Sequence, residues 1–156
     1  LRVPDIFSDS ISALSNFGAL LRHGYEVNIE TNGAVDTADF RNKVYRSDKL
    51  FFTIDYKLPS SGMEDKMLFE NFLTLRKHDV IKFVVGSDED LNKMREVMKR
   101  IAPFYDQMPH VFAGIVFGQF EPLKLVNAII DEDIFKDVRY QIQLHKIIWD
   151  PNQKGV

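Results

Sequence analysis

Short segments in which apolar and polar residues alternate recur along the chain, and this period of two is typical of β-strands. In residues 25–33 the alternation places Val27 and Ile29 on one face and Glu30 on the other, and Gly33 ends the pattern. Other segments are almost continuously apolar, which indicates strands buried on both faces. Further strands are predicted at 50–57, 80–85, 111–117 and 138–149.

Between these segments, apolar residues recur every three or four positions, which is the period of an amphipathic α-helix. The first helix is expected to begin at Asp9 or Ser10 and to end before Gly24. Ser87 is expected to cap a later helix, with acidic residues in its first turn and its end at Ile101. The remaining helices are predicted at 37–43, 63–77 and 122–130.

The alternation of helices and strands predicts an α/β fold with a mostly parallel sheet and right-handed crossovers. The length of 156 residues fits a single domain over residues 1–156. Five strands are compatible with a flavodoxin-like sheet or with part of a (β/α) barrel, and the pattern alone does not distinguish the two.

Composition narrows the classes of function. The formal net charge of -3 disfavours a nucleic-acid-binding protein, since such proteins carry a basic face. The chain contains no cysteine, which excludes thiolate zinc sites, thiol catalysis and iron–sulfur ligation by these residues. Its apolar runs are shorter than the ~20 residues that span a bilayer. We therefore expect a soluble cytoplasmic protein with neither a nucleic acid nor a membrane as partner.

Polar residues cluster where the predicted strands end. Because the carboxyl ends of parallel strands meet at one edge of a sheet, these side chains are expected to face a common crevice. Carboxylate, amide, ammonium and imidazole groups at one rim can recognise a polar heterocycle or an amino-acid group. The strand-end residues are Glu30, Thr31, Asn32, Asp55, Lys57, Gly86, Ser87, Gln119, Glu121, Gln143, His145 and Lys146.

Each of these residues also has a structural interpretation. The Thr31-Asn32-Gly33 sequence is ordinary turn chemistry. Glu30 could pair with a neighbouring lysine, and Lys57 could be a solvated charge. His145, within a predicted apolar strand, could be a hydrogen-bonded structural histidine. The chain contains none of the common phosphate-binding, dinucleotide-binding, serine-hydrolase or zinc-protease motifs.

Four segments carry a resemblance to a known family. They are 24–33 (Gly-Tyr-Glu-Val-Asn-Ile-Glu-Thr-Asn-Gly), 55–63 (Asp-Tyr-Lys-Leu-Pro-Ser-Ser-Gly-Met), 81–85 (Ile-Lys-Phe-Val-Val) and 141–149 (Gln-Ile-Gln-Leu-His-Lys-Ile-Ile-Trp). In this order they resemble 7-carboxy-7-deazaguanine synthase, a radical S-adenosylmethionine enzyme of queuosine biosynthesis. The resemblance extends over about residues 9–150 and corresponds to the C-terminal part of that family. Other radical enzymes share Glu-Thr-Asn-Gly, whereas Gln-Leu-His-Lys is the more discriminating element.

The resemblance implies the C-terminal part of a partial (β/α)₆ barrel that binds S-adenosylmethionine on a [4Fe-4S] cluster. It implies that a 5′-deoxyadenosyl radical abstracts hydrogen from 6-carboxy-5,6,7,8-tetrahydropterin, after which magnesium-assisted ring contraction and loss of ammonia give 7-carboxy-7-deazaguanine. It further implies an electron donor such as flavodoxin and a homodimer. By the same resemblance, the substrate would contact Glu30, Gln143 and His145. S-adenosylmethionine would lie beside Asn32, Asp55 and Lys57, and Asp55 would stand near a position where many relatives have serine.

The chain departs from the family at its start. The family's three-cysteine cluster loop and its Gly-Gly-Glu-Pro strand end are absent from residues 1–8. We therefore expect these residues to be the C-terminal part of a longer enzyme, without catalytic or metal-binding residues and inactive alone. The ligands of the cluster and of magnesium would lie outside this chain. Two alternatives remain: a fragment of a glycyl-radical activating enzyme, which would share Glu-Thr-Asn-Gly, and a non-catalytic flavodoxin-like binding module.

Overall fold

In the part of the chain that the structure describes, five parallel strands form one sheet in the order in which they occur along the chain. The computed structural model describes residues 10–43, 47–150 and 153, with side chains described from Asn16 onward. The strands are β1 (Val27–Thr31), β2 (Leu50–Tyr56), β3 (Val80–Val85), β4 (His110–Ile115) and β5 (Val138–Tyr140).

Within these described ranges, five α-helices accompany the sheet. They are α1 (Ser10–Arg22), α2 (Thr37–Lys43), α3 (Asp88–Ile101), α4 (Pro122–Asp131) and α5 (His145–Ile148). The predicted cap of α3 is confirmed, because the Ser87 hydroxyl accepts a hydrogen bond from Asp90 N at 3.1 Å. The other candidate cap, Asp9, lies outside the described residues. Among the described residues, no helix is long and apolar enough to cross a membrane.

The strand order determines where the crossovers lie. When parallel strands follow one another in sequence order, right-handed connections all fall on the same face of the sheet. A flavodoxin-like sheet instead reverses its strand order, so that its helices cover both faces. The sheet described here has no such reversal, and the flavodoxin-like alternative is therefore wrong for this part of the chain. The observed α/β architecture is compatible with part of a (β/α)₆ barrel.

The two faces of the sheet differ in their side chains. One face carries the apolar core: Val27, Ile29, Phe52, Ile54, Ile81, Phe83, Val111 and Ala113 pack against Phe40, Leu91, Met94, Val97 and Leu125 of the helices. On the opposite face, Glu30 is in register with Thr53, and Asp55 with Lys82, Phe112 and Arg139. The side chains of Glu30 and Arg139 on this face are exposed. The polar residues of β1 and β2 therefore lie on the face that the helices leave open.

The predicted helix at 63–77 is wrong. The segment after β2 instead forms three short 3₁₀ turns, Pro59–Ser61, Glu64–Lys66 and Phe69–Phe72. Its backbone bonds reach other parts of the chain: Leu68 N donates to Gly33 O at 3.1 Å, and the Tyr105 hydroxyl donates to Phe72 O at 2.6 Å. These tertiary contacts outweigh the helical period of the apolar residues.

A buried carboxylate fixes the amino-terminal edge of the sheet. Asp79 is fully buried and accepts hydrogen bonds from Phe52 N at 2.9 Å and from Arg76 N at 2.7 Å. It also pairs with the Arg41 guanidinium at 2.5 Å. Burial lowers the pKa of Arg41, and the charge of Asp79 opposes that shift. This cluster lies at the edge opposite the candidate site and joins α2 to the starts of β2 and β3.

Candidate functional site

The carboxyl end of β1 is a tight polar turn. The Thr31 hydroxyl accepts a hydrogen bond from Gly33 N at 3.4 Å, and the Asn32 side-chain oxygen accepts one from Ala34 N at 3.2 Å. Gly33 has a positive φ of 76°, a backbone conformation that residues other than glycine rarely adopt. The turn interpretation of this segment is therefore confirmed, and the turn holds Asn32 exposed at the edge of the sheet.

The carboxyl end of β2 lies beside this turn. Thr31 is in register with Ile54, so the residues that follow them, Asn32 and Asp55, lie at adjacent positions. Asn32 is the first residue after β1, whereas Asp55 is still within β2, one residue before its end. Asp55 and Lys57 form an ion pair at 3.3 Å, with about a third of each side chain exposed (38% and 33%). Three of the predicted site residues are thus brought together at one edge.

Glu30 lies on the open face of β1, one residue before Thr31. Its register partner Thr53 donates its hydroxyl to Asn28 at 3.0 Å and so is not bound to Glu30. Among the described residues, the Glu30 carboxylate has no hydrogen-bond or ion-pair partner, and the lysine pair considered for it is not observed. Its acceptor atoms are available to a ligand on that face.

Asn71 is a buried residue of this region that sequence reasoning missed. Its side-chain amide donates to Gly33 O at 3.0 Å and to Val35 O at 2.8 Å. Its side-chain oxygen accepts from Thr37 N at 2.9 Å and from the Thr37 hydroxyl at 3.0 Å. Asn71 therefore fastens the β1 turn to the start of α2. The sequence signal was a polar residue within the largely apolar segment 67–75.

Asp90 has the corresponding role at the next two strands. It is fully buried and accepts hydrogen bonds from Ser60 N at 2.8 Å and from Gly86 N at 2.7 Å, as well as from the Ser60 hydroxyl. Its place in the first turn of α3 was predicted, but these bonds were not. They tie the loop that follows Lys57 to the end of β3.

A cavity of about 570 Å³ opens at the carboxyl ends of β4 and β5. Gln143, a predicted substrate residue, lines it together with Gln119 and Glu121. The rest of the lining is mainly apolar and aromatic: Ile115, Phe117, Phe120, Tyr140, Ile142 and Ile147. A mostly apolar pocket with a few polar groups is the usual form of a small-molecule site. β3 and β4 separate β5 from the polar ends of β1 and β2.

His145 lies in a helix and not in the strand predicted for it. β5 ends at Tyr140, and His145 begins the short helix α5, where it is exposed. Gln141 N still donates to Ala113 O at 2.8 Å, but beyond it Lys146 N bonds locally to Gln143 O and Trp149 N to His145 O. The prediction of a strand over 138–149 is therefore wrong beyond Tyr140, as is the interpretation of His145 as a histidine buried in a strand.

The residues of this region can be compared with the groups that the family resemblance implies, which are S-adenosylmethionine, the [4Fe-4S] cluster and magnesium. An amide, a carboxylate and an ammonium at Asn32, Asp55 and Lys57 can bind the hydroxyl and charged groups that S-adenosylmethionine carries. Within the described residues, no three His, Asp or Glu side chains are grouped so that they could hold a metal ion. The whole sequence lacks cysteine. The chain therefore offers no thiolate ligand for the [4Fe-4S] cluster, and the described residues contain no group of three carboxylate or imidazole donors for magnesium.

Three curated relatives, each named 7-carboxy-7-deazaguanine synthase, are similar to this chain. The Clostridium acetobutylicum protein is 42% identical over 130 residues, which is 83% of this chain and 56% of the relative. The Thermoplasma acidophilum protein is 39% identical over 88% of this chain and 60% of its own length. The Leptospira interrogans protein is 33% identical over 82% of this chain and 50% of its own length.

These matches cover most of this chain but only 50% to 60% of the relatives. No protein-family model matches the chain, and no solved structure matches it significantly. Over most of its length, this chain is similar in sequence to part of the 7-carboxy-7-deazaguanine synthases.

Proposed function

We propose that this chain forms part of an enzyme that makes 7-carboxy-7-deazaguanine. The observation that carries the proposal is the agreement of relatives from distant organisms, all with this name, at up to 42% identity. The cluster of polar side chains at the carboxyl edge of a parallel sheet, where α/β folds bind their ligands, supports it.

In this proposal, the open face of β1 and the β5 end bind the substrate, 6-carboxy-5,6,7,8-tetrahydropterin. The unpartnered carboxylate of Glu30 can accept two N–H bonds from the guanidine-like edge of the pterin ring. Gln143 offers an amide inside the apolar cavity. The exposed imidazole of His145 can donate to the substrate carboxylate.

Asn32, Asp55 and Lys57 bind S-adenosylmethionine in this proposal. S-adenosylmethionine supplies the adenosyl group through which hydrogen is abstracted from the substrate. The side chains described here orient it: Lys57 can pair with its carboxylate, and Asp55 can accept from its hydroxyl or amino groups. The cluster and magnesium would be held by residues outside this chain, and the chain alone would then be inactive.

The test is product formation by a longer protein that contains this chain, after cluster reconstitution. Incubation with the carboxypterin, S-adenosylmethionine, magnesium and a reductant such as flavodoxin should give 7-carboxy-7-deazaguanine, detected by mass spectrometry. Release of 5′-deoxyadenosine without that product would favour the glycyl-radical activating alternative. Absence of both compounds, with a fully loaded cluster, would favour a non-catalytic binding protein.

We also propose that the protein is a homodimer. Several large apolar side chains near the end of the chain are exposed: Ile142, Leu144, Ile147, Ile148 and Trp149. Several large exposed apolar side chains within one short segment are typical of an interface. Sedimentation analysis should show a dimer that Ile148→Glu converts to a monomer. A wild-type protein that sediments as a monomer would contradict this proposal.

A further inference from the structure

We propose that Asn71 is a positioning residue, which sets the affinity for S-adenosylmethionine by fixing the turn that carries Asn32. This inference rests on the proposed function, because it takes Asn32 as a contact of that cofactor. Asn71 itself lies under the turn with 3% of its surface exposed. It can therefore act only through the residues that it holds.

The four hydrogen bonds of Asn71 use its whole side chain. Its two amide hydrogens bind Gly33 O at 3.0 Å and Val35 O at 2.8 Å. Its oxygen receives Thr37 N at 2.9 Å and the Thr37 hydroxyl at 3.0 Å. Because both donors and both acceptor positions are occupied, no capacity is left for a ligand. The two carbonyls that it binds lie on either side of Ala34, directly after Asn32.

The same segment also contacts the end of β2. Leu68 N adds a second hydrogen bond to Gly33 O at 3.1 Å, and the Met67 sulfur accepts Lys57 N at 3.4 Å. Residues 67–71 therefore brace the turn after β1 and the strand end that carries Lys57. Both ends of the proposed cofactor site depend on one crossover segment, in which Asn71 makes the bonds to the turn.

The Asn32 turn has little stabilisation of its own. Its internal hydrogen bonds are two contacts to side chains, one at 3.2 Å, the upper end of the usual range, and one at 3.4 Å, beyond it. Asn71 adds bonds of ordinary length to two of its carbonyls. Without them the turn would sample several positions, and binding would have to order it at a cost in affinity.

The test is Asn71→Asp in the longer, cluster-loaded protein, with S-adenosylmethionine binding measured by calorimetric titration. Aspartate keeps both acceptor bonds from Thr37 but loses both donors to Gly33 O and Val35 O. We expect Kd to rise about tenfold, the order given by one or two lost hydrogen bonds, with unchanged stoichiometry. The matched control, Thr37→Val, removes the hydroxyl bond to Asn71 and leaves the turn carbonyls bound, so Kd should stay within about twofold.

A merely structural role would give a different readout. The fraction of competent protein, and so the stoichiometry, would then fall while Kd stayed at the wild-type value, and that result would overturn the inference. If Asn71→Asp does not fold, Asn71→Ser keeps one hydroxyl donor and should give an intermediate Kd; a wild-type Kd would again overturn it. Failure of the wild-type protein to bind S-adenosylmethionine would instead overturn the proposed function, and this inference with it.

Discussion

Gly33 is the residue on which the candidate site depends most closely. A Cβ atom at this position would lie 3.1 Å from the Phe72 ring, 3.2 Å from Ile54 and 3.2 Å from the Met67 sulfur. The positive φ of the residue adds a conformational cost for any other side chain. The turn after β1 therefore requires glycine for its backbone angle and for the space beside it.

Gly33→Ala should lower the free energy of unfolding by about 2–4 kcal/mol, because strain and overpacking add. Gly62→Ala is the matched control: Gly62 also has a positive φ, of 65°, but nothing lies within 4 Å of the Cβ atom that alanine would add there. It should cost only about 1 kcal/mol. Urea denaturation of both variants measures the difference. Equal losses would show that the space at Gly33 is not limiting.

Asp79 should be the most sensitive charged residue among those described. Asp79→Asn leaves the half-buried Arg41 guanidinium without its counter-charge, which costs about 3–5 kcal/mol in comparable buried pairs. The control Asp39→Asn breaks an exposed pair with Lys43, at 2.6 Å, and should change stability by about 0.5 kcal/mol or less. Thermal unfolding compares the stability of the two variants. Similar losses of stability would show that burial does not make the Asp79 pair more important than the exposed pair.

At the scale of elements, a bidentate ion pair links α3 to the end of α4. Arg95 donates twice to Glu132, each time at 2.7 Å. These hydrogen bonds lower the pKa of Glu132. A carboxylate whose pKa is lower in the folded than in the unfolded state stabilises the fold. The stabilisation is complete at pH values above the pKa that the group has in the unfolded chain. That contribution is lost as the pH falls through the lowered pKa.

Glu132→Gln should therefore cost about 1 kcal/mol at pH 7. The difference from wild type should begin to shrink below about pH 4.3, the usual pKa of glutamate, and should vanish once the pH is below the lowered pKa of Glu132. Urea denaturation at several pH values measures both quantities. The control Asp65→Asn, in an exposed pair with Lys66, should have little effect at any pH. A Glu132→Gln difference that is constant across pH would mean that the ion pair is not its source.

The elements that the sequence predicted well are those decided by local periodicity. β1 and β3, α2 and the Ser87 cap depend on neighbouring residues and were correctly predicted. The two failures, at 63–77 and 141–149, are segments whose apolar spacing was regular but whose backbone bonds go elsewhere. Asn71 and Asp90 could not be identified for the same reason, since their roles depend on which distant loops fold over them.

At the scale of the whole molecule, sequential strand order leaves one face of the sheet uncovered by the helices of the described residues. The ionisable side chains of Glu30, Asp55 and Lys82 lie on that face. The sequence could predict that Glu30, Asn32, Asp55 and Lys57 fall at strand ends, because a period of two fixes both face and edge. It could not predict the cavity beside Gln143, which forms where β5 stops and the chain turns into α5.

The central claim is that this open face is the substrate site of a 7-carboxy-7-deazaguanine synthase. The most direct measurement is the rate of product formation from the carboxypterin by the longer, cluster-loaded protein carrying Glu30→Gln. We expect a loss of about 10- to 100-fold, the value of a hydrogen bond to a charged group. Glu26→Gln, which removes an exposed charge just before β1, should leave the rate unchanged. A wild-type rate for Glu30→Gln would contradict the account.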